Sequence, residues 1–138
     1  MENTLPGIVK IQIVRCEHIQ AHAMNMALCG ALVAIAAPSQ NVKFFGTPQL
    51  KWEGAMVNGA RQEKSTLEFS TSEQLPENGR LAVVVTQASG KQYLIGAREP
   101  KYPVFNYTET AGSPSGEAAL RTYKITHIAQ KSVLPCVL

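Results

Sequence analysis

Two cysteines and two histidines near the N-terminal end form the one grouping with the chemistry of metal ligands. Cys16, His18, His22 and Cys29 follow the spacing Cys-x-His-x3-His-x6-Cys. Zinc binds four such ligands in a tetrahedron, and two histidines at this separation on a helix can supply two of them. No Cys-x2-Cys pair accompanies them, so the simpler interpretation is two partly exposed histidines and two packed thiols. We therefore expect no metal and no other cofactor.

His127 is the remaining histidine and the candidate for acid–base chemistry. A catalytic histidine would need a serine and a carboxylate within hydrogen-bond reach. The sequence has no Gly-x-Ser-x-Gly motif and places no acid beside His127. We predict a histidine on the face of a sheet, in a protein that is not an enzyme.

The cysteines and the apolar segments indicate the compartment. The cysteines number three, and their spacing is not that of a disulfide framework, so we expect reduced thiols in a cytoplasm. The N-terminus lacks the basic segment and apolar run of a secretory signal. The longest uninterrupted apolar run, residues 26–37, is far shorter than the roughly 20 residues that span a bilayer. We expect no membrane contact.

Length and charge narrow the class of protein further. The 138 residues suit a single β-rich domain, 1–138. The net charge of +3 comes from scattered Lys and Arg residues without a basic block, which allows non-specific proximity to DNA but does not indicate sequence reading. Charged residues make up only 17% of the chain, which is compatible with contacts between subunits.

Short strands separated by turn residues dominate the chain. The first, Ile8–Arg15, alternates in period two, with Val9, Ile11 and Ile13 on one face and Lys10 and Gln12 on the other. Asn58-Gly59 has the composition of a tight hairpin turn. Further strands are predicted at residues 31–36, 42–45, 50–53, 63–71, 81–85, 92–97, 104–109 and 120–129, and one short helix at 17–28. This pattern predicts an all-β fold, either a β-sandwich or a partly closed β-barrel, with at most one short helix.

Three segments outside the predicted central strands are candidates for docking on a partner. Residues 98–103 form a loop stiffened by two prolines, and residues 111–117 form a loop with too little apolar content to pack by itself. Each could instead be a plain connection. The apolar terminus, 133–138, is either a last strand packed on the sheet or a segment docked on a neighbouring subunit. The predicted docking residues are Arg98, Lys101, Tyr102, Gly112, Pro114, Gly116, Val133, Leu134, Val137 and Leu138.

Three short motifs in the second half of the chain carry a resemblance. They are Tyr93-Leu94-Ile95-Gly96-Ala97-Arg98-Glu99-Pro100-x2-Pro103, then Ala111-Gly112-x-Pro114-x-Gly116, then Tyr123-Lys124-Ile125-Thr126. In this respect the chain resembles small virion proteins of tailed bacteriophages and prophages of gut bacteria. In such proteins a Tyr-Leu-Ile-Gly strand, a proline-rich turn and a Gly-x-Pro-x-Gly hairpin tip recur near the C-terminus.

The resemblance implies a structural role in the virion. It implies a homo-oligomeric ring at the head–tail neck or in the tail, for head–tail joining, tail completion or the tail tube. The expected partners are copies of the same chain and adjacent virion proteins. The expected location is the virion, after assembly in the bacterial host cytoplasm. The alternative is a capsid decoration or accessory β-domain that binds a protein or glycan surface.

Overall fold

Eleven strands make up 76% of the described chain. The computed structural model describes residues 2–5, 7–19, 29, 33–34, 39–72, 75, 80–96, 102–110, 120–129 and 132–137. The strands are β1 (Glu2–Leu5), β2 (Ile8–Arg15), β3 (Val33–Ala34), β4 (Gln40–Val42), β5 (Phe44–Val57), β6 (Ala60–Thr71), β7 (Leu81–Gln87), β8 (Gln92–Ile95), β9 (Val104–Thr110), β10 (Leu120–Ala129) and β11 (Leu134–Val137). A single 3-10 turn, Cys16–His18, follows β2.

The strands form two sheets that pack face to face. Sheet I has the order β1-β5-β6-β10-β9 and is antiparallel throughout. Sheet II has the order β3-β11-β8-β7-β2-β4, and only its β3–β11 pair is parallel. The predicted all-β class is confirmed in its sandwich form, and the sheets do not close into a barrel.

The main core lies between the sheets, because strands of both contribute inward side chains. The strand predicted at 63–71 lies within β6, where Leu67 and Phe69 are buried and Glu68 is exposed. The members of the main core include Leu50, Leu67, Phe69, Tyr123 and Ile125 of sheet I and Ile11, Ile13, Val83, Val85 and Ile95 of sheet II.

Sheet II is buried on its second face as well. Within β7 the residues 81–85 are all buried, and they alternate between the main core and a second cluster. The second cluster contains Val84, Leu94 and Leu134, with Tyr102 packed against it. A strand covered on both faces needs apolar residues at every position, which explains the uninterrupted run in β7.

The predicted pattern of β2 is wrong for the face of Val9 and for the burial of Gln12, although Gln12 lies on the predicted face. Val9 is 58% exposed, although it was expected beside Ile11 and Ile13, and Gln12 is buried. The pairing of β2 with β7 shifts between Ile8 and Lys10, so Val9 is the extra residue of a β-bulge. Ile8 occupies the core position instead, and Gln12 is buried because the second face of sheet II is also covered.

The two strands predicted at residues 42–45 and 50–53 are also corrected. Phe44–Val57 is one continuous strand, paired with β6 at Phe45↔Ser70 and again at Gln49↔Glu68. The surplus residues between these pairs form an irregularity in which Gly46 has a φ of +75°. Gly46-Thr47-Pro48 therefore shifts the pairing with β6 without ending the strand, since a bulge tolerates both glycine and proline.

The remaining predictions concern the ends of the chain and the turns. Asn58 and Gly59 both have positive φ, which confirms the tight hairpin turn. β1 was not predicted, and the terminal strand β11 matches the alternative in which the C-terminus packs on the sheet. Of the helix predicted at 17–28, residues 17 and 18 lie in the 3-10 turn, and residues 20–28 lie outside the described residues.

Candidate functional site

The β5–β6 hairpin projects past the strands on both sides of it. β1 pairs with β5 as far as Glu53, and β10 pairs with β6 as far as Glu63. Residues 54–62, which we call the hairpin arm, have no further strand beside them in the described part of the chain. Met56 is 70% exposed in the arm. The arm is a two-stranded extension in solvent, and such a pair is only marginally stable by itself in water.

The second exposed feature is the free edge of β9, the strand at the end of sheet I farthest from β1. β9 pairs with β10 on one side only, among the described strands. It is seven residues long, whereas the other edge strands β1, β3 and β4 have four, two and three. Its residues 104–110 include no lysine and no proline. Shortness, proline and charged side chains, lysine above all, normally protect an edge from pairing, and of these β9 has a single charge, Glu109.

An aromatic surface, which we call the tyrosine patch, lies beside this edge. Tyr107 of β9 is 49% exposed, and its ring lies 5.8 Å from the ring of Tyr123. The Arg121 guanidinium stacks over Tyr107 at 4.4 Å and donates to the Glu109 carboxylate at 3.3 Å. The pKa of Arg121 is raised, chiefly by its hydrogen bond to Tyr123 and also by the negative charge of Glu109. The guanidinium therefore stays charged and paired. The patch combines tyrosine and arginine, the residue types most often found as interface anchors.

The arm and the free edge of β9 cannot meet within one chain. β10 lies between β6 and β9 across the whole length over which these strands overlap. The arm also continues past the end of β10, beyond the Ala129↔Glu63 pair. The two features are therefore separate surfaces at different places on sheet I.

None of the predicted docking residues that the structure describes lies on these two surfaces. Tyr102 is half-buried: its ring packs against the second cluster, and its hydroxyl accepts from Arg80 at 3.3 Å. Val133 and Leu134 are buried in the protein's own core, so they are not exposed to a neighbouring subunit. Val137 lies in β11. Arg98, Lys101, Gly112, Pro114, Gly116 and Leu138 lie outside the described residues.

The sequence analysis does not predict the arm, because between the strands at 50–53 and 63–71 it predicts only the Asn58-Gly59 turn. The signal was present: residues 54–60 carry no charge on either side of the Asn58-Gly59 turn. In a hairpin whose strands pack on a protein, one face is normally polar. The absence of charge over residues 54–60 departs from that pattern.

A serine, histidine and glutamate cluster is buried at the connection between β10 and β11. Ser132 N donates to Glu63 Oε1 at 2.9 Å, and Val133 N donates to the same oxygen at 3.2 Å. His127 Nδ1 lies 3.2 Å from the carbonyl oxygen of Ser132, and Ser65 Oγ donates to the carbonyl of His127. These hydrogen bonds join side chains to backbone groups, so the cluster stabilises the packing of the β10–β11 connection on β6. His127 lies on the inner sheet face, as predicted for a strand histidine.

The proposed metal ligands do not converge within the described residues. There, no group of three His, Cys, Asp or Glu side chains is placed to hold a metal ion. Cys16 is buried, as expected of a packed thiol, but the same expectation is wrong for Cys29, which is exposed. His22 lies outside the described residues. In the same part of the chain, no helix is both long and apolar enough to cross a membrane.

The thiols differ in burial, which predicts a labelling pattern. Burial raises the pKa of Cys136 from 9.0 to about 12. We expect a thiol reagent at pH 8 to label Cys29 and to leave Cys16 and Cys136 unlabelled, counted by mass spectrometry. The folded protein keeps the Cys136 proton that the unfolded chain loses, so this group lowers the free energy of unfolding as pH rises from 9 toward 12.

Labelling of the denatured protein should modify all the cysteines and provides the control. Rapid modification of Cys136 in the folded protein at pH 8 would contradict its placement in the second cluster.

Comparison of the chain with known protein families, with curated proteins and with solved structures finds no match.

Proposed function

We propose that the protein is a non-enzymatic structural subunit that assembles with copies of itself into a ring. One observation carries the proposal: of the five large hydrophobic residues exposed in the described chain, Met56, Val104 and Tyr107 lie on the arm or on β9. Apolar side chains concentrated at an unpaired hairpin and an unpaired edge favour coverage by another protein surface. Burying them offsets the loss of freedom on assembly.

The separation of the two surfaces is compatible with a ring. When one patch of a subunit binds a different patch on the next copy, the contact is head-to-tail. Such contacts form closed rings when the rotation between subunits closes. The arm and the β9 edge are different patches on the same sheet, which suits this kind of contact.

The location that we propose is the neck or tail of a tailed bacteriophage, in head–tail joining, tail completion or the tail tube. This part rests on the sequence resemblance, and the all-β sandwich is compatible with it. The partners would be copies of the chain and adjacent virion proteins, with assembly in the host cytoplasm. The mild positive charge is compatible with DNA passing near the ring without being read.

The test is the mass of the purified protein in solution. Light scattering across a range of concentrations should show a mass that rises to a fixed multiple of the 15.0 kDa subunit. Negative-stain images of the same sample should show rings with rotational symmetry. Val104→Lys, which places a charge on the β9 edge, should lower the assembled fraction at least tenfold at a fixed concentration.

A monomer at every concentration would contradict self-assembly into a ring. The alternative, a capsid decoration or accessory β-domain on a protein or glycan surface, would then be favoured.

Val9→Lys is the matched control for Val104→Lys, because Val9 is similarly exposed, at 58%, but lies on sheet II. Its mass distribution should equal that of the unaltered protein.

A further inference from the structure

We propose that the hairpin arm of one copy adds as a strand to the free edge of β9 in the next copy. This inference deepens the proposed function and rests on it, because it names the two surfaces that join neighbouring subunits. The occupant of the β9 edge is residues 54–62 of a second copy of this chain.

The first argument is that each surface lacks backbone partners that the other can supply. In an antiparallel pair about half of the backbone N–H and C=O groups of an edge strand point away from its neighbour. Residues 104–110 of β9 present such groups on their free side, and so do residues 54–57 of the arm, beyond the end of β1. Strand addition pairs these groups, and side chains on the two faces then give specificity.

The second argument concerns which faces meet. Along β5 the side chains alternate, and Met56 has the same parity as Leu50, which faces the core. Along β9, Tyr107 has the same parity as Phe105, which packs against the core. If the arm continues sheet I beyond β9, Met56 of one copy lies on the same face as Tyr107 of the next. Methionine sulfur and an aromatic ring make a favourable contact, so Met56 fits the tyrosine patch.

The third argument is charge. Arg61 is the only charged residue of the arm, and Glu109 is the only charged residue of β9. Their side chains are 54% and 57% exposed, and both lie on the faces that Met56 and Tyr107 occupy. Each charge has an intramolecular partner, Glu63 for Arg61 and Arg121 for Glu109. Docking therefore need not break either ion pair. The arm is positive and the edge is negative, which favours arm-to-edge over arm-to-arm contacts.

Pairwise crosslinking of introduced cysteines tests the contact. In a Cys29→Ser background, Ala55→Cys places a thiol on the arm and Asn106→Cys places one on β9, both at exposed positions on the outer face of sheet I. A short bis-maleimide is added to a sample whose oligomeric state has been measured. Each single variant alone should stay monomeric on a denaturing gel, their equimolar mixture should give one dimer band, and the double variant should give a ladder.

The controls separate this inference from the proposed function. A mixture of Ala55→Cys with Lys10→Cys, an exposed residue of sheet II, should not crosslink above background. If the sample is oligomeric and the arm-to-edge crosslink is absent, or Ala55→Cys crosslinks to itself, the strand addition is wrong and the ring proposal stands. If the sample is monomeric throughout, both are wrong.

A shortened arm gives a second measurement. Deleting Ala55, Met56, Arg61 and Gln62 removes two complete cross-strand pairs and keeps the Asn58-Gly59 turn and the alternation of both strands. These residues contribute no side chain to either core cluster, so the monomer should fold, as judged by its circular dichroism and thermal transition. Association should weaken at least tenfold by light scattering. Unchanged association of a folded, shortened protein would overturn the inference.

Discussion

Replacing Gly96 by alanine should lower the free energy of unfolding by about 3 to 5 kcal/mol, because it adds backbone strain to a steric overlap. Gly96 has a φ of +131°, a conformation that side chains disfavour. A Cβ at this position would lie 2.6 Å from Ala82 Cβ and 3.2 Å from Pro103 Cγ. Both neighbours are buried, so they have little room to move. Urea unfolding followed by circular dichroism measures the loss.

Two variants separate the strain from the overlap. Gly90 has a φ of +93°, and a Cβ added there would have no atom within 4 Å. Gly90→Ala should therefore cost only the backbone strain, about 1 to 2 kcal/mol. Ala82→Gly removes the closest contact, so the double variant with Gly96→Ala should be more stable than the sum of the single changes predicts, by at least about 1 kcal/mol. Additive effects would show that the crowding against β7 is not the cause.

Replacing Glu63 by alanine should destabilise the protein by about 3 kcal/mol, because it leaves buried backbone donors without an acceptor. Glu63 Oε1 accepts from the backbone N–H groups of Ser132 and Val133 at 2.9 and 3.2 Å. Ser132 and Val133 are themselves buried, so water does not readily replace the carboxylate. The same urea titration measures this effect, and the connection into β11 should show the largest increase in amide hydrogen exchange.

One control keeps an acceptor oxygen at position 63, and the other keeps the Glu63 carboxylate with both of its hydrogen bonds. Glu63→Gln retains an oxygen that accepts from both N–H groups, so it should cost less than half as much as Glu63→Ala. Arg61→Ala removes the 3.6 Å ion pair with Glu63 and leaves the hydrogen bonds. Arg61 is 54% exposed, so solvent screens this pair and the cost should be below about 1 kcal/mol. An equal loss in Arg61→Ala and Glu63→Ala would contradict the assignment.

These two sites also give physical roles to residues that the sequence only highlighted. In Tyr93-Leu94-Ile95-Gly96, Leu94 enters the second cluster and Ile95 the main core, while Gly96 allows the close approach to Ala82. The motif thus serves the packing of β8 on both faces of sheet II. His127 likewise serves the fold, because its ring bonds the backbone carbonyl of Ser132.

Much of the local structure could be predicted because it depends on neighbouring residues alone. The bounds of β2 and β10 agree with the predicted strands, and the Asn58-Gly59 turn has the predicted conformation. Alternation of polar and apolar side chains is a property of the strand itself, and positive φ is a property of asparagine and glycine. These strand bounds and this turn therefore hold without knowledge of the rest of the molecule.

The errors occur where pairing with a distant strand changed a local pattern. The bulge at Val9 depends on the register of β2 against β7, and the continuity of β5 through Gly46 depends on β6. Proline and glycine are turn signals in isolation, but a long partner strand can hold the chain extended across them. The burial of Gln12 likewise depends on what covers the second face of sheet II.

The sequence by itself determined that the protein is all-β, where most of its strands lie, and that its surface carries few charges. The tertiary structure decided which of those strands remain at an edge, which hairpin extends past its neighbours, and which glycine is crowded. The physical reason is range: alternation and turn preferences act over a few residues, whereas edges and close approaches exist only after distant strands pair. The candidate assembly surfaces, the arm and the free edge of β9, belong to this second group.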